Sequence, residues 1–468
     1  MQLNKQDLIK ALGKNLVEIK GEFNVSTYSI DTRTLQIGDV FVALLGEHDG
    51  HNYLSDAISK GASALIISQD FYNKSPIEFQ NLIIVKDTLV ALSDIAKFNG
   101  EKFTEKGGKL VGITGSVGKT TLKEMLSFVL SQDNITSSTF GNFNNHIGLP
   151  LSLAHINEHS SFGVYELGMS SKDEISHLSK ILKPQVAVIT EIAEAHAEFF
   201  VSNDGKSSLD LIAEAKTEIL DGMKKGSILF LNKDNGYFET IKNKALSKEI
   251  NVFSFSLSNI DSDVYVKSRR LKNYSMQVEA YIFGEIIAYN IKSIAQHNAM
   301  LSALTFGIAK KLGIDIKAIA ENFVNFNIPK GRGEISEILF NDQKIILIDD
   351  SYNANPKSMN SAILSLKNTE ASKILVLGDM LELGKNEIAE HIKLKESILL
   401  LNNIKNVILV GKLMGHLAEE LKDSSVKYFS NYEQAIEYLK NNIKDNDLVF
   451  IKGSFGSLVH KISKYLQS

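Results

Sequence analysis

Residues 110–121 constrain this chain more than any other stretch. Leu110-Val111-Gly112-Ile113 is an apolar run of the kind that forms a buried strand. Thr114-Gly115-Ser116-Val117-Gly118-Lys119-Thr120-Thr121 follows, and then Leu122, Met125, Leu126 and Val129 recur at helical spacing. A strand, a glycine-bearing turn, Lys-Thr and a helix make up a nucleotide phosphate loop. Backbone N–H groups can converge on phosphate oxygens only where side chains are absent, hence Gly115 and Gly118, and the helix N-terminus adds positive partial charge. Lys119 would reach the β- and γ-phosphates of ATP, and the Thr120 hydroxyl would bind Mg²⁺. The usual spacing has glycine five before Gly118, where this chain has Ile113, so the loop is the shorter T-G-x-x-G-K-T form. The bland alternative is an ordinary strand-to-helix turn. The motif specifies ATP and is silent about a second substrate.

Around this loop, short β-branched runs alternate with longer helical patterns, which predicts α/β architecture with mainly parallel sheets. One set comprises Val40–Leu45, Ala64–Ile67 and Leu82–Val85, and the polar stretch Asn99–Lys109 reads as a linker. A second set comprises Leu110–Ile113, Phe162–Leu167, Val186–Thr190 and Ile228–Leu231. Val252–Phe255, Val264–Val266 and Tyr281–Phe283 then suggest an antiparallel appendage, closed by a helix after His297. Pro329–Gly333 reads as a hinge before the third set, Ile345–Ile348, Ile374–Leu377, Val407–Val410 and Leu448–Ile451. Asn431 has the chemistry of an N-cap for the helix that follows it. Three α/β domains are expected at residues 1–102, 103–326 and 327–468. The second is a mononucleotide-binding domain of the phosphate-loop type, and the third is Rossmann-like.

With 468 residues, the chain is too long for one compact core. Its net charge of −4 and the absence of a basic stripe argue against a nucleic-acid partner. It contains no cysteine, which excludes disulfides, zinc–thiolate sites and thiol catalysis. Met1–Lys14 reads as an amphipathic helix rather than a signal peptide, and no segment approaches the roughly 18–20 apolar residues of a membrane span. A cytoplasmic monomer with no membrane insertion is the expectation.

Further motifs carry a resemblance. Gly141-Asn142-Phe143-Asn144-Asn145-His146-Ile147-Gly148-Leu149-Pro150, Asp349-Asp350-Ser351-Tyr352-Asn353-Ala354-Asn355-Pro356 and Leu377-Gly378-Asp379-Met380-Leu381-Glu382-Leu383-Gly384 with His391 follow the phosphate loop in order. Together they resemble the Mur ligase superfamily, which also includes folylpolyglutamate synthases, and within it the branch that adds D-alanyl-D-alanine. The resemblance implies ATP-driven amide formation between UDP-N-acetylmuramoyl-tripeptide and D-alanyl-D-alanine through an acyl phosphate and a tetrahedral intermediate, with release of ADP and phosphate, in peptidoglycan precursor synthesis. Such chemistry gathers several anionic groups, so cationic support is needed.

By the same resemblance, Ser29, Asp31, Thr32 and Arg33 lie near the uridine diphosphate, with Asn142 and Asn145 also facing that substrate. The residues alone allow an ordinary solvated Asp31–Arg33 pair. Glu166 would hold one Mg²⁺ with Thr120. His196 resembles the histidine of a second Mg²⁺ site, although a loop histidine by itself is more often structural. Lys216 matches a lysine carbamylated by CO₂, the carbamate giving metal-binding oxygens where an ammonium would repel the ion. That requires a depressed amine pKa, and a solvent-facing helical lysine is the plain alternative. Lys119, His196 and the modified Lys216 are thus the implied catalytic groups. His297 and Asn298 would contact adenine, Arg332 the γ-phosphate and Asp350 the ribose, while Asn353 and Asn355 are candidates for the dipeptide. Lys452-Gly453-Ser454 matches a late K-G-S segment.

Four positions depart from the pattern: Glu191 and Ala193 in a segment that normally reads T-N-I-G, Ala295 for glycine, and Phe455 where arginine often stands. Glu191 adds negative charge beside the expected metals. Other superfamily activities, or a silent nucleotide-binding scaffold, are the competing expectations. The N-A-N and E-L-G motifs argue against the former, and the intact ligand set argues against the latter.

Overall fold

The computed structural model describes residues 1–193 and 205–468. Three sheets carry the chain in sequence order. In the first, Leu16–Lys20, Leu82–Val85, Ala64–Ser68, Val40–Val42 and Tyr28–Ser29 lie side by side, parallel except for the Leu16–Lys20 edge. Leu82–Val85 and Ala64–Ser68 are buried throughout, which is why they read as continuous apolar runs rather than alternating ones.

The second sheet runs Glu285–Ile291, Ser275–Ile282, Val264–Lys272, Asn251–Ser256, Ile228–Asn232, Val186–Ile189, Lys109–Thr114, Phe162–Glu166, Thr136–Ser138. The antiparallel appendage is smaller at its start than expected. Asn251–Ser256 pairs parallel with Ile228–Asn232, and Val264 also enters parallel before the hairpins reverse direction. The third sheet runs Glu334–Phe340, Gln343–Asp350, Leu448–Lys452, Lys373–Gly378, Ile404–Val410, Val426–Phe429, with only its first pair antiparallel. Thr136–Ser138, Glu285–Ile291, Glu334–Phe340 and Val426–Phe429 carry too little contiguous buried apolar sequence to stand out. Each is a short or solvent-facing sheet member held by its neighbour.

The expected linker at Asn99–Lys109 is a correction. Thr88–Glu105 is one helix, started by Asp87, whose carboxylate accepts from the Leu89 and Val90 N–H groups. Its polar and glycine residues serve packing. Asn99 is fully buried and donates to the Ala154 carbonyl at 2.8 Å. Gly100 faces Leu153, and a Cβ there would already touch its Cδ2 at 3.4 Å. The boundary expected after residue 102 therefore falls inside a helix, and the turn between the sheets is confined to residues 106–108. Likewise, the N-terminal helix spans only Lys5–Leu12, because Leu3 bridges to Val25 instead.

Candidate active site

The phosphate loop leaves the carboxyl end of Lys109–Thr114, which lies between Phe162–Glu166 and Val186–Ile189. A crevice at the carboxyl ends of parallel strands, where connections diverge to opposite sides, is where open α/β sheets bind ligands. Gly118 caps the helix Lys119–Leu130 with φ of 87°, a left-handed conformation that would strain any other residue, and a Cβ there would crowd Leu301 Cδ1 at 3.1 Å. At Gly115 a side chain would collide with Thr190 Oγ1. The loop is tied down from the neighbouring strand. Thr190 Oγ1 donates to the Val117 carbonyl at 2.6 Å, and the Ser116 N–H donates to the Glu191 carbonyl at 2.7 Å. Lys119 Nζ meanwhile donates to the Gly115 carbonyl at 2.7 Å, folded back over its own loop.

Glu166 ends its strand fully buried. One carboxylate oxygen, Oε2, accepts from Thr120 Oγ1 at 3.2 Å and Asn144 Nδ2 at 3.4 Å. The other, Oε1, has no hydrogen-bond partner among the described residues. A buried carboxylate oxygen left without a donor costs free energy unless a cation meets it, and the adjoining hydroxyl supplies a second oxygen ligand. This donor set fits Mg²⁺, which favours oxygen. The sequence motifs do not single out Lys123. It is almost fully buried, donates to the carbonyls of Thr139 and Gly141 at 3.1 and 3.2 Å, and places Nζ 4.0 Å from Glu166 Oε1. The signal available was its place one helical turn after Lys119.

Lys216 is buried at 2% exposure, and that burial, with a smaller contribution from the Lys119 charge, holds its amine well below the ordinary lysine value. It is not the solvent-facing helical lysine of the plain alternative. Burial also lowers the Lys119 amine, with Glu166 opposing the shift. His196 lies outside the described residues.

Across the hinge, the third sheet brings its own groups. Asp350 pairs with Lys452 at 2.7 Å, and Lys452 also donates to the Asn353 carbonyl at 3.0 Å. The Arg332 guanidinium lies 4.1 Å over the Tyr352 ring, whose hydroxyl accepts from Asn142 Nδ2 at 3.0 Å. A cavity of about 520 Å³ is lined by Gly115–Thr121, Asn142, Asn145, Lys216, His297, Arg332, Asp350, Asn353, Asn355 and Lys452 among others. A smaller one of about 310 Å³ adjoins it, with Tyr352, Asn353, Leu381 and Phe455 in its wall. Phe455 stacks on His460 with ring centroids 4.3 Å apart.

Several expected residues are placed differently. Ser29, Thr32 and the Asp31–Arg33 pair sit at the Tyr28–Ser29 edge of the first sheet and do not line the cavity. Arg33 there forks onto Asp31, with Nη2 to Oδ2 at 2.6 Å. Asn298 is fully buried behind His297, donating to Ser293 Oγ at 2.9 Å. Asn355 uses its side-chain oxygen to cap the helix Pro356–Ser365, accepting from the Ser358 N–H at 2.8 Å. The Glu191 carboxylate is met by protein donors. Asn235 Nδ2 lies 2.7 Å and the Ile192 N–H 3.1 Å from Oε1, and Asn232 Nδ2 lies 3.2 Å from Oε2.

The fold and this cleft define a nucleotide-binding protein of the phosphate-loop class, with a third α/β sheet contributing to the same cavity. Residues 113–308 match the Mur ligase middle domain, and residues 331–455 match the Mur ligase, glutamate ligase domain. The chain is 35% identical over 470 residues to the UDP-N-acetylmuramoyl-tripeptide--D-alanyl-D-alanine ligase of Rickettsia prowazekii, covering 99% of both chains. This chain belongs to the Mur ligase family. Among solved structures it is similar to MurF from Acinetobacter baumannii, with a TM-score of 0.85 at 25% identity over 100% of this chain and 99% of that one. It is also similar to the MurF ligase of Thermotoga maritima in complex with ADP, with a TM-score of 0.78 at 25% identity over 95% and 97%.

Proposed function

We propose that this chain joins D-alanyl-D-alanine to UDP-N-acetylmuramoyl-tripeptide at the expense of ATP, in peptidoglycan precursor synthesis. The observation that carries the chemistry is the convergence on one cavity of the phosphate loop, including Thr120 with its hydrogen bond to buried Glu166, and of Arg332, Asp350 and Asn353 from the edge and loops of the third sheet. The named relatives supply the substrates.

Amide formation from a carboxylate and an amine is unfavourable in water, so the tripeptide carboxylate first takes the γ-phosphoryl group of ATP, releasing ADP. The dipeptide amine then attacks the acyl phosphate carbonyl, and phosphate departs from the tetrahedral intermediate. The loop N–H groups and Lys119 hold the triphosphate, and Arg332 approaches it from the third sheet. Mg²⁺ when bound neutralises phosphate charge. Thr120 and Glu166 would hold one ion, and His196 with a carbamylated Lys216 a second. Lys216 supports that modification because CO₂ adds to a neutral amine, which its burial favours. His297 faces the cavity for adenine and Asp350 for ribose, with Asn298 acting from behind His297. Asn142, Asn145 and the Ser29–Arg33 segment belong to the uridine-diphosphate substrate, and Asn353 with the Asn355 loop to the dipeptide. Residues 1–102, 103–326 and 327–468 remain the proposed functional division, with the first boundary read as falling within a helix. A cytoplasmic monomer is part of the same proposal; separately, no described helix is long and apolar enough to cross a membrane.

The test is phosphate release from ATP with UDP-N-acetylmuramoyl-tripeptide, with and without D-alanyl-D-alanine. Release is expected only when both are present, and Lys119→Ala should reduce it by a factor of about a thousand or more. Turnover independent of the dipeptide, or glutamate addition to a folate, would overturn the assignment.

A further inference from the structure

Glu191 stands at the junction of three parts of the molecule. Its carbonyl accepts from the Ser116 N–H inside the phosphate loop at 2.7 Å. Its carboxylate is fixed by Asn232 and Asn235, at and just beyond the end of the strand Ile228–Asn232. From the other side of the hinge, Lys357 in the first turn of the helix Pro356–Ser365 places Nζ 3.0 Å from Glu191 Oε1. The Glu191 side chain is only 15% exposed while Lys357 is 57% exposed. A held carboxylate thus receives an exposed cation, and little side-chain entropy is lost on the acidic side when the pair forms. Both residues line the cavity. That helix begins immediately after the Asn353–Asn355 loop, on the third-sheet side of the cleft.

We propose that Glu191 and Lys357 are positioning residues. Their ion pair couples closure of the third sheet to the conformation of the phosphate loop, so that the cleft is brought to its closed form when the loop is ordered. The proposal rests on the ATP-dependent reading of the cleft for its kinetic arm, but its structural arm does not.

The experiment uses the full chain carrying Lys357→Met, Glu191→Gln, both together, and the exchange Glu191→Lys with Lys357→Glu. KM and kcat are measured for ATP and for the dipeptide, and the radius of gyration is measured by X-ray scattering with and without Mg-ADP. Each single variant should raise KM for ATP about fivefold, the scale of a partly exposed pair, with kcat and the dipeptide KM changed less than about twofold. The double variant should be no worse than the poorer single, because one interaction can be lost only once. The exchange should recover part of the loss, and raised salt should bring wild type toward the variants. In scattering, Lys357→Met should be more expanded than wild type with Mg-ADP bound. Additive losses, an effect confined to the dipeptide KM, or equal radii would overturn the coupling. A wild-type protein that compacts through this pair yet turns over none of the proposed substrates would instead refute the functional reading and leave the coupling standing.

Discussion

Lys216 and Glu166 are each costly where they stand, and the costs point the same way. A lysine at 2% exposure and a buried carboxylate oxygen with no hydrogen-bond donor among the described residues both destabilise the fold unless other groups compensate. For Lys216, burial lowers the amine pKa, which favours the neutral form that the proposed carbamate would need. Lys216→Ala should lower kcat about a hundredfold or more, and short-chain carboxylic acids should restore much of the activity. A dead variant without rescue would count against the carbamate. The native amine titrates well below 10.5, so between the two pKa values the unfolded chain binds more protons than the folded one. Stability of the CO₂-free protein therefore rises with pH across that window and is lost as pH falls through the folded pKa. Lys216→Met removes this slope. It should melt higher than wild type at about pH 7, and the gap should narrow by about pH 9, as read by thermal unfolding under CO₂-free buffer.

Among elements, the helix Pro356–Ser365 shows one residue serving two levels. Asn355 is a sequence candidate for the dipeptide, yet its side-chain oxygen closes a capping box with Ser358, and Pro356 occupies the first turn. Asn355→Ala should cost about 1 kcal/mol in chemical denaturation. Because the capped helix carries Lys357, the variant should also raise KM for ATP. A loss of dipeptide affinity with unchanged stability would mean that the cap is not its main task. The same N–x–N motif was legible in sequence because asparagine is good at both jobs. Which job each asparagine does was not legible, since that depends on where the next helix starts. The helix Thr88–Glu105 shows the opposite error. Asn99, Gly100 and the nearby lysines have the composition of a linker, and only the approach of Leu153 and Ala154 turns them into a packing face.

For the whole molecule, the distribution of cores is uneven. One apolar cluster runs from Met1, Leu3 and Val25 through Ile83 and Phe103 into Leu149, Tyr165, Leu182 and Leu229, so the first sheet and one face of the central sheet share it. The Met1 amino group even donates to the Ile156 carbonyl at 2.6 Å. The third sheet has its own two clusters, joined from the central part by Ile294 and the hairpin residues Leu271 and Tyr274. Calorimetry should therefore resolve two transitions, one for the first and central sheets together and one for the third. On the proposed binding of Mg-nucleotide between the central and third sheets, added Mg-nucleotide should draw them together. Three separate transitions would contradict the shared core.

The amino-acid sequence by itself determined the alternation of elements, the phosphate loop and the family motifs. These depend on local periodicity, on glycine at the left-handed Gly118 and on chemistry carried by contiguous residues. It could not determine that Lys216 is buried, that one Glu166 oxygen faces Lys123 with no hydrogen-bond donor among the described residues, or that Lys357 reaches Glu191. Burial and long-range pairing are set by which surfaces meet once the sheets are stacked, and residues 166 positions apart carry no local signal of their meeting.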